Sequence, residues 1–118
     1  MKIKDVPKRY KGWKIKIVKS KTFVATSRNH VIPINYWYVI QKNVDINDIE
    51  AIFEHEIEED LEFRKRHKPL AIAHSLATKK ERAFLIKKNE NFSEHQKEVF
   101  KIYRTKATLD APYFDLKV

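Results

Sequence analysis

Residues 47–68, with the sequence NDIEAIFEHEIEEDLEFRKRHK, carry the clearest periodicity in the chain. Apolar residues recur there at steps of three and four, namely at Ile49, Ile52, Phe53, Ile57 and Leu61. This spacing places them in one stripe along one face of an α-helix. The segment is therefore predicted to be a long amphipathic helix, and the rest of the fold has to cover its apolar stripe.

Both ends of this helix carry termination signals. Asn47 is the expected N-cap, Glu50 completes a capping box, and Ile46 stands where a hydrophobic staple begins. The last turn is basic, which complements the helix dipole. Pro69 disfavours α geometry in the residue before it, so the helix is expected to end there.

The charge of the chain is distributed unevenly. The net charge is +9, but residues 1–44 carry +10, residues 45–62 carry −9 and residues 63–118 carry +8. The acids are expected to form an exposed helix face between two basic flanks. Such flanks either form a solvated surface that pairs with the helix, or they bind a polyanion.

Composition excludes several kinds of chemistry. The only glycine is Gly12, so a Gly-rich phosphate-binding loop is excluded. The chain has no cysteine, which rules out disulfides, thiolate catalysis and Cys-ligated zinc. No signal peptide or membrane span is predicted, and a cytoplasmic location is expected. A length of 118 residues with 42% hydrophobic content predicts a single folded domain.

Three strands are predicted before the long helix. From residue 13 the chain alternates, with Trp13 on the inner face and the lysines facing outward. Residues 22–27 are predicted to form a second strand that pairs with the first as a hairpin. Residues 28–33 are predicted to be a loop. Residues 35–42, which are apolar on both faces, are predicted to be the central strand.

The sequence pattern in the second half of the chain predicts secondary structure less clearly. Residues 69–88 are interpreted as a strand, a turn and a strand, although their alanine content leaves a helix open. A second long helix is predicted to open at Ser93, with Gln96 completing a capping box and Phe92 as its staple residue. The tail, residues 109–118, is apolar and is expected to pack against the body.

These elements predict an α+β domain covering residues 1–118, in the order β-β-β-α-β-β-α, with a basic N-terminal arm at residues 1–12. The sheet is expected to be rich in antiparallel pairs, with both helices on one face. Residues 38–50 and 84–96 are similar at an offset of 46 positions, so either a ββα unit is duplicated or two strand-to-helix junctions follow the same capping rules.

One helical segment invites comparison with a metal motif. His55-Glu56-x-x-Glu59 matches the zinc motif HExxH except at its second histidine, so a metal would need a further ligand from elsewhere. A solvent-facing charged surface is the interpretation we adopt, and no metal, cofactor or catalytic residue is assigned. His74 is expected to be a buried core histidine. No reaction class follows, and the sequence favours a protein that is not an enzyme.

Basic residues interleaved with aromatic residues give the main functional prediction. Nucleic-acid-binding proteins contact phosphates through cations and bases through aromatic faces, although Trp13 falls on the core side. The chain is predicted to be a small intracellular nucleic-acid-binding domain that acts mainly through the phosphate backbone, without a choice between DNA and RNA. The candidate residues are Lys8, Arg9, Lys11, Lys14, Lys16, Lys19, Lys21, Arg28, Arg64, Lys65 and Arg66.

Two alternatives remain open. The chain could be a non-enzymatic protein-interaction or regulatory accessory protein, of phage or mobile-element type, that uses the acidic helix 47–68 or the basic flanks. Pairing of these oppositely charged regions between copies would give a homo-oligomer. Alternatively, a pocket between sheet and helices would bind a small ligand through Tyr36, Tyr38, His74 and Tyr103.

Overall fold

Three strands and four helices make up the part of the chain that the computed structural model describes, which is residues 1–19, 25 and 28–106, with side chains as far as residue 102. The strands are β1 (Arg9–Tyr10), β2 (Trp13–Val18) and β3 (Val31–Asn35). The helices are α1 (Tyr36–Val39), α2 (Ile46–Asp60), α3 (Leu70–Lys87) and α4 (Phe92–Lys106), with a 3₁₀ turn at Ile3–Asp5. The fold is a small α+β domain.

The sheet has the order β1-β2-β3 and is mixed. β1 and β2 form an antiparallel hairpin around Lys11 and Gly12, whose φ angles are both positive, at 49° and 85°. Two positive φ angles are typical of a type I′ turn, which matches the twist of the flanking strands. β2 and β3 are parallel, with Ile15 opposite Ile32. The expectation of a sheet rich in antiparallel pairs is therefore wrong.

The alternation predicted from residue 13 is confirmed. Trp13 and Ile15 are buried, whereas Lys14 and Lys16 are exposed. Trp13 belongs to the core and stacks on His30, with 4.7 Å between the ring centroids. One face of β2 therefore supports the core and the other is basic.

The central strand predicted at residues 35–42 is wrong, because the chain enters helix α1 there. The side-chain oxygen of Asn35 accepts hydrogen bonds from the backbone N–H groups of Trp37, at 2.7 Å, and Tyr38, at 3.2 Å. This N-cap starts a helix despite the strand-forming residues that follow. The strand lies instead at Val31–Asn35, where the sequence predicts a loop, and its Ile32 and Ile34 are fully buried.

Two predicted segments lie mostly or wholly outside the described residues. Of the strand predicted at residues 22–27, only Ala25 is described, and it forms an isolated antiparallel bridge with Ile34. The tail at residues 109–118 falls entirely outside them.

The long helix is confirmed, but its cap is not the predicted one. α2 begins one residue before Asn47, and Asp45 caps it in a reciprocal box with Asp48. The side chain of Asn47 instead donates to Glu90. At its far end α2 continues into a π-helical turn, Leu61–Lys65, and the helical geometry ends before Pro69 as expected.

The expectation that α2 presents an exposed acidic face is wrong. Its apolar stripe joins the core formed with β2, β3 and α4, and α3 packs along it. The buried side chains on α2 include those of Glu54, Glu56 and Glu59. The acidic helix is therefore the centre of the molecule, and the surface on which a basic partner was expected to dock is covered.

Residues 69–88 form one helix, α3, so the predicted hairpin is wrong and the helical alternative is confirmed. Its buried positions are Ala73, Ala77, Glu81 and Leu85, which repeat at every fourth residue. The alanines have no exposed surface, so they allow α3 to lie close to α2. Because one of the two expected ββα units lacks its strands, the duplicated unit and the predicted element order are not observed.

The second long helix, α4, is confirmed with a different cap. The side-chain oxygen of Asn91 accepts from the backbone N–H of Glu94 at 3.0 Å, so Asn91 is the capping residue in place of Ser93. Among the described helices none is long and apolar enough to cross a membrane.

Candidate metal centre

Three potential metal ligands meet between α2 and α3. His55 and Glu59 lie one turn apart on the same face of α2, and His74 reaches them from the first turns of α3. Nε2 of His55 lies 3.6 Å from Oε2 of Glu59, and this oxygen lies 3.0 Å from Nδ1 of His74. One ligand atom from each residue lies within 4.8 Å of the other two.

These separations suit a small divalent cation. Zinc lies about 2.0–2.2 Å from nitrogen and carboxylate oxygen ligands in a tetrahedral site, which places neighbouring ligand atoms about 3.4 Å apart. The separations of 3.0 and 3.6 Å bracket this value, and the three ligand atoms all lie within 4.8 Å of one another. The three side chains are therefore close enough to share one cation, and a tetrahedral ion would have a fourth position for water.

Glu56 places a carboxylate beside this cluster. Its Oε2 lies 3.9 Å from Nε2 of His55, and its side chain lines the same cavity as His55 and His74. His55, Glu56 and Glu59 are only 5%, 2% and 2% exposed. The expectation that this motif faces solvent is wrong, because α3 and α4 cover the helix face that carries it.

Glu81 of α3 orients the ring of His55. Oε1 of Glu81 lies 2.8 Å from Nδ1 of His55, and its other oxygen bonds to His95. Although burial acts to raise it, the pKa of Glu81 is lowered to about 2 by hydrogen bonds from the two histidines. An ionised carboxylate only accepts hydrogen bonds, so Nδ1 of His55 donates. In the neutral ring Nε2, on the side of Glu59, then carries the lone pair.

His95 of α4 extends this arrangement to the start of α2. Its Nε2 bonds to Glu81 and its Nδ1 lies 2.7 Å from Oδ1 of Asp48. Burial acts to lower the pKa of His95, but these two carboxylates raise it to about 9. At neutral pH a buried imidazolium therefore joins two carboxylates. The buried chain Asp48–His95–Glu81–His55 links α2, α3 and α4, and we call it the relay.

A cavity of about 80 Å³ adjoins the cluster. Its polar lining consists of His55, Glu56, His74, Thr78, Glu81 and Gln96, and its apolar lining consists of Ala25, Ile52, Val99 and Phe100. No lysine or arginine belongs to this described lining. Solvent reaches the cluster through His74, whose side chain is 39% exposed.

The motif at residues 55–59 contains two of the three candidate ligands, but no metal was assigned to it and the third candidate was not recognised. The motif at residues 55–59 was visible, and the need for one further ligand was explicit. His74 was predicted to be a buried residue on a strand, whereas it lies on a helix, half-exposed and bonded to Glu59. Recognising residues 70–87 as a helix would have identified His74, because the first turns of that helix run beside α2.

The candidate nucleic-acid-binding residues fall into two exposed groups. One lies on β1, β2 and nearby turns and comprises Lys8, Arg9, Lys11, Lys14, Lys16, Lys19 and Arg28; the other follows α2 and comprises Arg64, Lys65 and Arg66. Lys21 lies outside the described residues. Arg64 pairs with Asp60 at 2.7 Å and Arg66 with Glu62 at 2.8 Å, as helix-internal pairs. The positive charge of the second group is therefore partly neutralised by carboxylates of the same helical segment.

The structure does not bring the predicted ligand-pocket residues together in the cavity. His74 lines it, but Tyr36 and Tyr38 do not, and Tyr38 is fully buried. The side chain of Tyr103 lies outside the described residues.

No protein-family model, no curated protein and no solved structure matches the chain.

Proposed function

We propose that the protein is a zinc-dependent hydrolase in which His55, Glu59 and His74 hold the metal and Glu56 is the general base. The observation that carries the proposal is the convergence of two imidazoles and a carboxylate within 4.8 Å of one another, at a cavity that a further carboxylate also lines. Catalytic zinc sites use three protein ligands and leave the fourth position to water.

The ligand types favour zinc over the other common divalent cations. Two imidazole nitrogens and one carboxylate suit zinc, whereas Mg²⁺ and Ca²⁺ prefer sites made entirely of oxygen. The relay adds the usual support for such a site. A carboxylate that accepts from the remote nitrogen of a ligating histidine fixes the ring and makes its other nitrogen a better ligand, and Glu81 stands in this position toward His55.

The chemistry that follows is attack of water on a carbonyl. A zinc ion held by His55, Glu59 and His74 would lower the pKa of a bound water to about 7. Glu56 would accept the proton that this water loses as its oxygen bonds to the carbonyl carbon of an amide. Glu56 would then return the proton to the departing nitrogen as the C–N bond breaks. The products are an amine and a carboxylic acid, which ionises in water.

The cavity lining favours a carbonyl substrate over a phosphate ester. A transferred phosphoryl group carries negative charge, which enzymes balance with lysine, arginine or additional metal ions. The described lining contains neither cation, while Ile52, Val99 and Phe100 give it an apolar side. A neutral acyl group bearing a small apolar side chain fits such a lining.

Metal binding tests the first half of the proposal. The protein is stripped with a chelator and titrated with Zn²⁺, and with Co²⁺ as a spectroscopic substitute for zinc in a tetrahedral site. One equivalent is expected to bind, and His74→Asn is expected to remove this binding. The matched control is His67→Asn, because His67 is exposed and its φ of 54° is tolerated by asparagine. Equal binding by the two variants would refute the assignment of His74.

Hydrolysis tests the second half. The zinc-loaded protein is assayed with a fluorescence-quenched peptide library and with casein. Glu56→Gln is expected to retain zinc and to lower the rate by about 100-fold or more, because its amide cannot take the proton. A zinc-loaded protein that cleaves no substrate, or a Glu56→Gln variant as active as the parent, would overturn the proposed reaction.

A further inference from the structure

A larger groove lies on another side of α3, with a volume of about 660 Å³. β1 and the turn after it form one wall, and the second half of α3 forms the other. None of its lining residues lines the cavity at the metal centre. We call it the basic groove, and its lysines are Lys11, Lys80, Lys87 and Lys88.

The charge in the basic groove is predominantly positive. All four lysines are exposed, and Glu54 is the one acidic residue among the lining residues that the structure describes. Oε2 of Glu54 lies 2.7 Å from Nζ of Lys11 and also accepts from the hydroxyl group of Tyr10. Nζ of Lys80 also lies 3.8 Å from a side-chain oxygen of Glu58, which is outside the groove lining and balances part of the charge of Lys80. The described lining residues alone carry four positive charges and one negative charge, a net excess of three.

Two aromatic rings lie among these lysines, and both are half-buried. Tyr10 is fixed from behind, since its ring packs on Phe53 with 5.2 Å between centroids and its hydroxyl group donates to Glu54. Although burial acts to raise it, the pKa of Glu54 is lowered by hydrogen bonds from Lys11 and Tyr10, so its carboxylate remains ionised and keeps that bond. Phe84 stands on the α3 wall.

Each ring has a lysine ammonium group above it. Nζ of Lys11 is 5.6 Å from the ring centroid of Tyr10, and Nζ of Lys88 is 5.5 Å from that of Phe84. Such exposed cation–π contacts are weak, so a flat ring can displace the ammonium group. The displaced lysine then remains within reach of an anion attached to that ring.

We propose that the basic groove binds single-stranded nucleic acid, with bases stacked on Tyr10 and Phe84 and phosphates held by the four lysines. Stacking platforms combined with a cationic groove are the general means of binding a single strand without sequence preference. In a duplex the bases are stacked on each other and cannot lie on half-buried rings. A mononucleotide has one base, so it can stack on only one of the two rings.

This site differs from the one that the sequence indicated. The sequence placed phosphate contacts on the first hairpin and after α2, and among the described members of that set only Lys11 lines the basic groove. Lys80, Lys87 and Lys88 share one side of α3, which could be recognised only once residues 70–87 were seen to be a helix. The inference does not depend on the metal centre.

The test is a fluorescence-anisotropy titration of the 118-residue chain with a labelled oligothymidine of about 20 nucleotides, in chelator, from about 50 to about 200 mM salt. The groove variant replaces Lys80, Lys87 and Lys88 by Gln. The control variant replaces Lys14, Lys16 and Lys19 by Gln, because these lysines are equally exposed but lie on β2 or directly after it. Both variants change only exposed side chains, so the fold is retained.

The groove variant is expected to bind at least about tenfold more weakly, with a salt slope shallower by about 2, since each phosphate contact to a single strand contributes about 0.7. Phe84→Leu is expected to weaken binding by about fivefold or more without changing this slope. An equal loss in the control variant would overturn the proposal, because the attraction would then be generic. Tighter binding of a duplex, or competition by micromolar mononucleotide, would also overturn it.

Discussion

Nδ1 of His55 lies 2.8 Å from Oε1 of Glu81, so a carboxylate on α3 decides which nitrogen of an α2 histidine faces Glu59 and His74. This contact connects the stability of the interior with the chemistry of the proposed zinc site. Both residues are buried, and the contact is made across the α2–α3 interface. Substitution of Glu81, which is not a ligand, should therefore change metal affinity.

Glu81→Gln is expected to lower zinc affinity by about 10- to 100-fold, because the amide removes the charge that orients His55 and favours its metal-binding tautomer. Zinc titration in competition with a chromophoric chelator measures this. The control is Glu94→Gln, which neutralises an exposed carboxylate on α4. The relay has no role in metal binding if the two variants have equal zinc affinity.

The stability of the metal-free protein is expected to fall as the pH rises through the pKa of His95. That pKa is about 9 in the fold and 6.5 in the unfolded chain, so the stabilisation is complete below pH 6.5 and is lost as the pH rises through 9. The difference corresponds to about 3 kcal/mol. Asp48 and Glu81 face His95 and remain ionised, because the pKa of each is lowered despite burial.

Urea denaturation at intervals from pH 6 to 10, in chelator, measures this loss. Burial and the nearby Asp48 and Glu81 carboxylates raise the pKa of Tyr38, so this tyrosine stays neutral over the range. His95→Gln should be less stable than the parent at pH 6 and should lack the decline between pH 6.5 and 9. A variant that declines as steeply as the parent would assign the pH dependence to another group.

Ala77→Leu is expected to destabilise the fold by about 1–3 kcal/mol, because Ala77 has no exposed surface where α3 lies against α2. Ala71→Leu is the matched control, since Ala71 is exposed in the first turn of α3. Urea denaturation of both variants measures the difference. If Ala77→Leu were as stable as Ala71→Leu, the helices would not be closely packed at this position.

Asp45→Ala is expected to lower the free energy of unfolding by about 1 kcal/mol, because it removes the oxygen that accepts from the N–H of Asp48. Asp45→Asn should retain most of this stability, since its amide oxygen can accept the same bond. Glu50→Ala tests the box residue predicted from sequence and should have a smaller effect than Asp45→Ala. Thermal or urea unfolding measures both losses of stability. A larger loss for Glu50→Ala than for Asp45→Ala would favour the cap predicted from the sequence.

The elements predicted correctly are those with a single strong period. α2, α4 and β2 each bury one regular stripe, and the structure retains them. α1 was missed because one buried Asn35 side chain outweighs the strand preference of the residues that follow. α3 was misassigned because small and large residues alternate over residues 70–77, whereas its buried positions, Ala73, Ala77, Glu81 and Leu85, recur every four residues.

The metal centre could be predicted only in part for the same reason. Its α2 half is local, and the motif at residues 55–59 displays it. Its other half depends on α3 being a helix, since only then do His74 and Glu81 both face α2. The sequence also did not indicate that the acidic residues are buried. A carboxylate is tolerated in the interior only where a residue distant in the sequence pairs with it, as His95 pairs with Asp48.

The two histidines of the cluster differ in exposure. His55 is enclosed and bonded to Glu81, whereas the ring of His74 is partly in solvent on the first turns of α3. An ion held there would leave through rotation of one side chain, with the helices remaining in contact. Exchange of the ion with solvent would therefore be much faster than unfolding, and the occupancy of the site would follow the concentration of free metal around the protein.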